Sequence, residues 1–261
     1  MTIGIIVAMS SEQELVSHLL TNKLVKIEAN QTFTEGTIGN HHIILLQSGI
    51  GKVCAAVGAV ELIRQYQPDY IINSGVAGSL DQKVGVMDVV IGARTVYHDV
   101  DCFTDNPHGQ IQGLPLYFEA DPKLLKAAAQ LAVPQKVHIG LTCSGDQFIS
   151  NYETLQTIKN YFPEGLAVDM ESCAIAHVCY MYQVPFLSLR IISDTPGITD
   201  HETQYFDFFH RQNGALLLLV ATDKYQNQET RYLHHQHSAR YVSDKGDALT
   251  AMHRDIAAPH Q

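Results

Sequence analysis

Basic residues are scarce in this chain of 261 residues. It has 17 lysines and arginines against 27 aspartates and glutamates, a formal net charge of -10 at pH 7 and a sequence pI near 5.7. A protein that binds a nucleic-acid backbone needs a concentrated basic face, because it must neutralise closely spaced phosphates. The charge balance therefore argues against nucleic acid as the main partner and favours a small-molecule ligand.

Cysteine pairs and long apolar runs are also missing. The five cysteines show no CxxC spacing and their number is odd, so we expect reduced thiols and a cytoplasmic protein. The apolar N-terminus, Met1 to Met9, has no basic residues before it and is too short to span a bilayer. The longest aliphatic run elsewhere is Leu216 to Ala221, so we predict no membrane-spanning segment.

Short apolar runs alternate with longer segments of helical period, which is typical of an α/β protein. With 46% hydrophobic residues the chain can close one large core. We predict buried strands near residues 2–8, 42–48, 69–74, 86–97, 136–143 and 185–192, and a hairpin formed by 23–28 and 31–37. We predict helices over 11–21, 52–66, 121–131, 152–161, 171–182 and 203–222.

The composition changes near residue 223, where Gln, His and Arg replace the apolar period. We therefore predict one domain over 1–222 and a polar, His- and Gln-rich C-terminal tail over 223–261 that does not join the core. His234, His235 and His237 lie in this tail, but no cysteines stand at ligand spacing beside them. We accordingly predict no metal site.

Acidic side chains follow several of the predicted strands. Ligands of open α/β sheets bind at the carboxyl ends of strands, where loops and helix N-termini meet. Glu12 and Glu171 also have a simple structural explanation as charges that complement a helix N-terminus, and Asp194 has one as the start of a Pro-Gly turn. Several acids at one edge of a sheet repel one another, however, and this favours a functional reason for their presence.

Three turns after predicted strands could contact a ligand. The turns at 48–52 and 73–79 are rich in glycine, which lets backbone N–H groups approach a polar ligand. Neither has the spacing of a P-loop or of a dinucleotide-binding motif, and turn geometry alone also explains both. The third turn, at 144–149, contains Phe148, which could stack on a flat heterocycle or pack in the core.

Seven short motifs occur in one order along residues 1–222. They are Ile3-Gly4-Ile5-Ile6 with Ala8-Met9 and Glu12; Ser48-Gly49-Ile50-Gly51-Lys52-Val53; Ile71-Ile72-Asn73 with Gly75 and Ala77-Gly78; Tyr97-His98-Asp99-Val100-Asp101; Ser144-Gly145-Asp146 with Phe148-Ile149; Ala167-Val168-Asp169-Met170-Glu171 with Ala174 to Cys179; and Val184-Pro185-Phe186 with Arg190 and Ile192-Ser193-Asp194. The ordered set resembles the 5′-methylthioadenosine/S-adenosylhomocysteine nucleosidases of the nucleoside phosphorylase superfamily. This resemblance implies a single three-layer α/β/α domain with a central mixed, twisted sheet.

The resemblance also implies an activity, the hydrolysis of the N-glycosidic bond of 5′-methylthioadenosine, S-adenosylhomocysteine or both. It implies that Asp194, oriented by Ser193, protonates adenine N7 while Glu12 activates water. Breaking this bond builds positive charge on the sugar and negative charge on the base, so an acid and a carboxylate-activated water suit the reaction. No metal and no organic cofactor is implied.

Further residues acquire implied roles in substrate binding. Glu171 would bind the ribose hydroxyls, Phe148 would stack on adenine, and Arg190 would pair with nearby acids. The full implied set of substrate-binding residues is Met9, Ile50, Val76, Ala77, Gly78, Phe148, Ile149, Met170, Glu171, Arg190 and Phe206. A homodimer is implied, in which the region of Cys102 and Phe103 completes the neighbouring site. Val76 departs from the family pattern, since many members carry serine there.

Three alternatives remain at this point. A phosphorylase would need arginines near the glycine turns to hold phosphate, but the first arginine in the chain is Arg64 and the N-terminal region offers only Lys23, Lys26 and Lys52. A hydrolase of futalosine-type nucleosides would differ mostly at the 5′ end of its substrate. A non-catalytic nucleoside-binding module could lose either acid, whereas Glu12 and Asp194 are both present.

Overall fold

Strands and helices alternate along the chain, as the apolar periodicity predicts. A computed structural model describes residues 1–28, 30–103, 105–131, 133–196 and 203–205. Its strands are β1 (Thr2–Val7), β2 (Thr21–Glu28), β3 (Gln31–Ile38), β4 (His41–Gln47), β5 (Tyr70–Ser79), β6 (Val89–Tyr97), β7 (Phe118–Glu119), β8 (Val137–Ser144), β9 (Gly165–Asp169) and β10 (Phe186–Asp194). Its helices are α1 (Ser10–Ser17), α2 (Lys52–Tyr66), α3 (Pro122–Ala128), α4 (Tyr152–Tyr161) and α5 (Ser172–Tyr182).

The ten strands form one mixed sheet in the order β10-β6-β8-β9-β5-β1-β4-β3-β2, with β7 beside β6. Strand β5 pairs in parallel with β1 and β10 and pairs antiparallel with β9. The pairings β5–β10, β10–β6, β6–β8, β8–β9 and β9–β5 therefore close a ring at one side of the sheet. The parallel strands β1, β5 and β10 bring their carboxyl ends to the same edge.

Helices cover both faces of the sheet. Successive side chains of a strand point to opposite faces, and Ile5 packs in a core with Val16 of α1 while Ile6 packs in another with Leu62 of α2. Helix α3 joins the first core and α5 joins the second. Each fully buried aliphatic side chain stabilises the fold by about 1.5–3 kcal/mol. The predicted three-layer α/β/α architecture with a mixed sheet is confirmed.

Some predicted elements need correction. Helix α1 ends at Ser17 rather than at residue 21, because Thr21 already belongs to β2 and pairs with Thr37. Strands β7 and β9 were not predicted, since both are short and depend on pairing with distant strands. The described ranges contain no helix long and apolar enough to cross a membrane. The predicted helix over 203–222 beyond residue 205, and the predicted tail over 223–261, lie outside the described residues.

Candidate active site

A cavity of about 550 Å³ lies near the carboxyl ends of β1, β5 and β10. This volume is in the range of small-molecule binding sites. The described residues that line it are Ala8, Met9, Glu12, Ile50, Val76, Ala77, Gly78, Gln147, Phe148, Ile149, Val168, Asp169, Met170, Glu171, Ser193, Asp194, Pro196 and Tyr205. The lining combines four carboxylates with a largely apolar wall.

The structure brings nearly all the predicted site residues together at this cavity. Arg190 is not in the lining but lies directly behind it, and Phe206 lies outside the described residues. Sequence reasoning missed Gln147 and Tyr205, although each is the neighbour of a predicted residue. Asp169 belongs to one of the seven motifs of the sequence, which assigned it no role.

Glu12 is held by three backbone N–H groups. Its side chain belongs to the first turn of α1, and the residue is 2% exposed. Its Oε2 accepts hydrogen bonds from Ala8 at 2.9 Å and Met9 at 3.0 Å, and its Oε1 accepts one from Val76 at 3.1 Å. Burial raises the pKa of this carboxyl, although Arg190 and the three N–H groups oppose the shift. Glu12 thus caps α1 and also presents a basic carboxylate to the cavity.

Arg190 is the buried counter-charge of the site. Its Nε donates to Asp169 Oδ2 at 2.6 Å, and its Nη2 donates to Ser172 Oγ at 2.9 Å and also to Asn73 Oδ1. Burial alone would lower the pKa of Arg190, but the carboxylates of Asp169, Glu171 and Glu12 raise it above its usual value. The guanidinium is therefore charged, and several contacts fix its position.

Gly75 provides the space in which Arg190 and Glu12 approach each other. It is the register partner of Arg190 between β5 and β10. A Cβ atom at this position would lie 2.8 Å from Glu12 Oε1 and closer still to Arg190 Nη1. Only a residue without a side chain fits here.

Glu171 sits at the N-terminus of α5 and faces the glycine turn at 48–52. Its Oε1 accepts a hydrogen bond from the Gly51 N–H at 2.9 Å. Gly51 has φ 92°, a left-handed conformation that favours glycine. Burial, together with the negative charge of Asp169, raises the pKa of the Glu171 carboxyl. The second oxygen of this carboxylate is available to a ligand hydroxyl group.

Asp194 ends β10 and is 3% exposed. The Ser193 hydroxyl donates to Asp194 Oδ1 at 2.6 Å and lies 3.3 Å from the carbonyl oxygen of Ala77. This contact fixes the position of one carboxyl oxygen. Asp194 and Glu12 come from different elements but line the same cavity.

Aromatic side chains form the more open part of the lining. The Phe148 ring is 51% exposed and meets Tyr205 edge to face, with ring centroids 5.5 Å apart. The Tyr205 hydroxyl donates to Met9 Sδ at 3.4 Å. Ile149 beside them is buried. An exposed ring face next to buried apolar groups suits a flat heterocyclic ligand.

Cys102 and Phe103 lie away from the cavity lining described above. Phe103 is 88% exposed, and its backbone has φ 36°, an uncommon left-handed conformation for a residue with a side chain. Its N–H donates to Asp101 Oδ1 at 2.9 Å. Such an exposed aromatic side chain is available to contact another molecule.

Positive charge is confined to the rear of the site. The described lining contains no lysine, arginine or histidine. Among the described residues, no group of three or more His, Cys, Asp and Glu is placed to hold a metal ion. The four carboxyl groups of the lining can support proton transfer.

Known proteins resemble this chain in both sequence and structure. Residues 2–223 match the family model of the phosphorylase superfamily. The 5′-methylthioadenosine/S-adenosylhomocysteine nucleosidase of Actinobacillus succinogenes is 43% identical over 197 residues, which cover 74% of this chain and 86% of that protein. The structure of the nucleosidase of the same name from Neisseria meningitidis, in complex with methylthio-immucillin-A, matches with a TM-score of 0.81 at 35% identity, over 84% of this chain and 96% of that one. The nucleosidase of Colwellia psychrerythraea in complex with adenine matches with a TM-score of 0.79 at 33% identity, over 85% and 94% of the two chains.

Proposed function

Because this chain belongs to the 5′-methylthioadenosine/S-adenosylhomocysteine nucleosidase family of the phosphorylase superfamily, we propose that it hydrolyses the N-glycosidic bond of one or both of these thionucleosides and releases adenine. The observation that supports this most strongly is the single cavity lined by both Glu12 and Asp194. Cleavage of this bond needs a proton donor at the base and an activated water at the sugar. One cavity with two buried carboxyl groups on separate elements meets both needs.

Asp194 is the acid in this mechanism. As the C–N bond breaks, negative charge collects on the purine, and a proton delivered to adenine N7 makes the base a neutral leaving group. The hydrogen bond from Ser193 to Asp194 Oδ1 fixes the orientation of the carboxyl group that carries that proton. Ser193 therefore acts as a positioning residue for the acid.

Glu12 is the base that takes a proton from the attacking water. Its pKa is raised by burial, which brings its proton affinity closer to that needed near neutral pH. The three N–H groups that bind its two oxygens fix the carboxylate plane. Arg190 lies close behind Glu12 and balances the charge of the buried acids.

The rest of the lining recognises the nucleoside. Glu171, held by the Gly51 N–H, binds the ribose hydroxyls, and Met170 packs under the sugar. Phe148 stacks on adenine while the Ile149 backbone binds the edge of the base. Met9 and Ile50 form an apolar wall that suits a 5′-thioalkyl group, and Phe206, proposed for the same wall, lies outside the described residues. The remaining predicted substrate-binding residues in the lining are Val76, Ala77 and Gly78.

Water rather than phosphate is the proposed nucleophile. A phosphate dianion needs fixed positive charge, but the described cavity lining carries acids and no lysine or arginine. The carboxyl groups that are ionised around the cavity repel an anion unless a cation faces it. The guanidinium of Arg190 is engaged by Asp169, Ser172 and Asn73 behind the wall.

The proposed enzyme is a homodimer in which Cys102 and Phe103 contribute to the site of the neighbouring subunit. The exposed aromatic ring of Phe103 supports this arrangement. We expect light scattering after gel filtration to give twice the mass of the 28.9 kDa chain. A monomer that retains full activity would contradict this part of the proposal.

Adenine release from 5′-methylthioadenosine, with and without phosphate, tests the proposed activity. We expect release in phosphate-free buffer and no increase when phosphate is added. Strict dependence on phosphate would instead indicate a phosphorylase, and no release would indicate a binding module. A substrate panel of 5′-methylthioadenosine, S-adenosylhomocysteine, adenosine and futalosine then ranks the 5′ groups, and a preference for futalosine would replace the proposed substrate.

A further inference from the structure

Lys52, Asp99 and Asp146 form a charged cluster outside the described cavity lining, here called the Lys52 cluster. Asp99 Oδ2 accepts a hydrogen bond from Lys52 Nζ at 2.7 Å and another from the Asp146 backbone N–H at 2.9 Å. Asp146 Oδ1 accepts one from the Lys52 backbone N–H at 2.7 Å. The described cavity lining contains none of the three residues. The cluster therefore acts on the site only through neighbouring segments.

Two of those segments carry residues of the cavity wall. Lys52 begins α2 directly after Gly51, whose N–H donates to Glu171 Oε1 at 2.9 Å. Asp146 directly precedes Gln147, Phe148 and Ile149 of the lining. Asp99, which follows β6, joins the two segments through a single carboxylate oxygen. The cluster thus connects the group that faces Glu171 to the loop that carries Phe148.

Two glycines allow the segments to approach so closely. A Cβ atom on Gly145 would lie 2.5 Å from the His98 ring and 2.8 Å from Asp99 Cγ, and one on Gly51 would lie 3.0 Å from Asp146 Oδ1. These distances are shorter than ordinary contacts between carbon and its neighbours. The backbone at these positions is therefore packed tightly against the cluster and, at Gly145, against His98.

Two of the three charges of the cluster are partly shielded from solvent, whereas the Asp146 side chain is 47% exposed. The Lys52 and Asp99 side chains are 24% and 19% exposed, and Lys52 Nζ also lies 5.4 Å from the centroid of the Tyr97 ring. Partial burial alone would raise the pKa of Asp99, but the hydrogen bonds from Lys52 and Asp146 lower it below its usual value. Partly buried ion pairs are screened less by salt than exposed ones.

We propose that Lys52 is a positioning residue for substrate binding. It fixes the Gly51 N–H against Glu171 and holds the 145–149 loop in one position relative to Gly51. This rests on the proposed function, in which Glu171 and Phe148 bind ribose and adenine. The proposed acid and base belong to β10 and α1, and neither element contributes to the cluster. Loss of the cluster should therefore weaken substrate binding more than it slows the chemical step.

The test compares Lys52→Met, Asp99→Asn and the double variant in phosphate-free hydrolysis of 5′-methylthioadenosine. We expect KM to rise about tenfold in each, while kcat stays within about threefold of wild type. The KM of the double variant should be no higher than that of the more severe single variant, because both substitutions remove the same interaction between Lys52 and Asp99. Lys52→Arg should restore much of the affinity.

Lys83→Met is the matched control. Lys83 Nζ lies 3.8 Å from Asp81 Oδ2, and neither residue lines the described cavity. This substitution should leave KM unchanged.

Adenine binding measured by calorimetry gives a readout that needs no turnover. We expect Lys52→Met to weaken adenine binding. Its melting temperature should differ little from that of Asp99→Asn. An unchanged KM and adenine affinity in folded Lys52→Met and Asp99→Asn, or effects that simply add in the double variant, would overturn the proposal. Absence of hydrolysis by the wild type would instead refute the proposed function, while the adenine-binding comparison would still decide the role of Lys52.

Discussion

Gly75→Ala is the substitution that probes the arrangement of Glu12 and Arg190 most severely. The added methyl carbon would lie 2.8 Å from Glu12 Oε1, and an ordinary contact needs about 3.5 Å, so the carboxylate must retreat by about 0.7 Å. It cannot do so freely, because three N–H groups hold it. Arg190 on the other side is tied to Asp169 and Asn73. One of these contacts must break.

The expected result is a large loss of activity with a moderate loss of stability. Displacement of a reacting group by about 1 Å can cost about 100-fold in rate, so we expect kcat/KM to fall by about that factor. Overpacking of this kind lowers the free energy of unfolding by about 1–3 kcal/mol. Activity is measured as adenine release from 5′-methylthioadenosine. Stability is measured as the free energy of unfolding in urea.

Gly85→Ala provides the matched control. A Cβ at Gly85 would have Asp88 Oδ2 as its nearest neighbour at 4.0 Å, so the methyl group fits without displacement. We expect wild-type kcat/KM and stability from this control. If Gly75→Ala were as active and as stable as Gly85→Ala, Glu12 and Arg190 would not be packed together as described, and the reasoning about the base would fail.

The remaining predictions concern the two acids and the C-terminal segment. Asp194→Asn should lower kcat by about 10²–10⁴-fold with little loss of adenine affinity by calorimetry, because the acid acts as the bond breaks; wild-type turnover would remove Asp194 from the mechanism. Glu12→Gln should lower kcat by a similar factor, and activity within about threefold of wild type would leave Glu12 only its capping role. Since Glu12 must be ionised to act and burial raises its pKa, kcat/KM of the wild type should fall as the pH drops through that raised pKa; a rate unchanged down to pH 4 would contradict this. Truncation after residue 222, the proposed end of the domain, should leave turnover and the melting temperature unchanged, and a folded but inactive truncation would assign the tail a role in the site.

The long periodic segments of the fold could be predicted from the sequence. The bounds of α2 and α4 agree with the prediction, because each presents apolar residues at helical spacing to a core. Strand β9 escaped prediction because its five residues include glycine and alanine, and its conformation is set by pairing with β5 and β8. Local pattern carries no information on such distant partners.

The acids of the candidate site could also be nominated from the sequence, because each follows or precedes an element at the ligand-binding edge. The environment of these acids could not be predicted from the sequence. The contacts of Asp169 with Arg190 and Ser144 join residues that are 21 and 25 positions apart in the chain. Whether Glu12 only caps a helix also had to come from the structure, in which it caps α1 and lines the cavity as well.

A crystal structure of the Asp194→Asn variant with 5′-methylthioadenosine bound tests the proposed roles of acid and base most directly. These roles predict adenine N7 within about 3 Å of the side-chain amide at position 194, with a water bound to Glu12 on the opposite side of the sugar ring from the base. A nucleoside bound with its base at Glu12, or bound outside the cavity altogether, would contradict the assignment of acid and base.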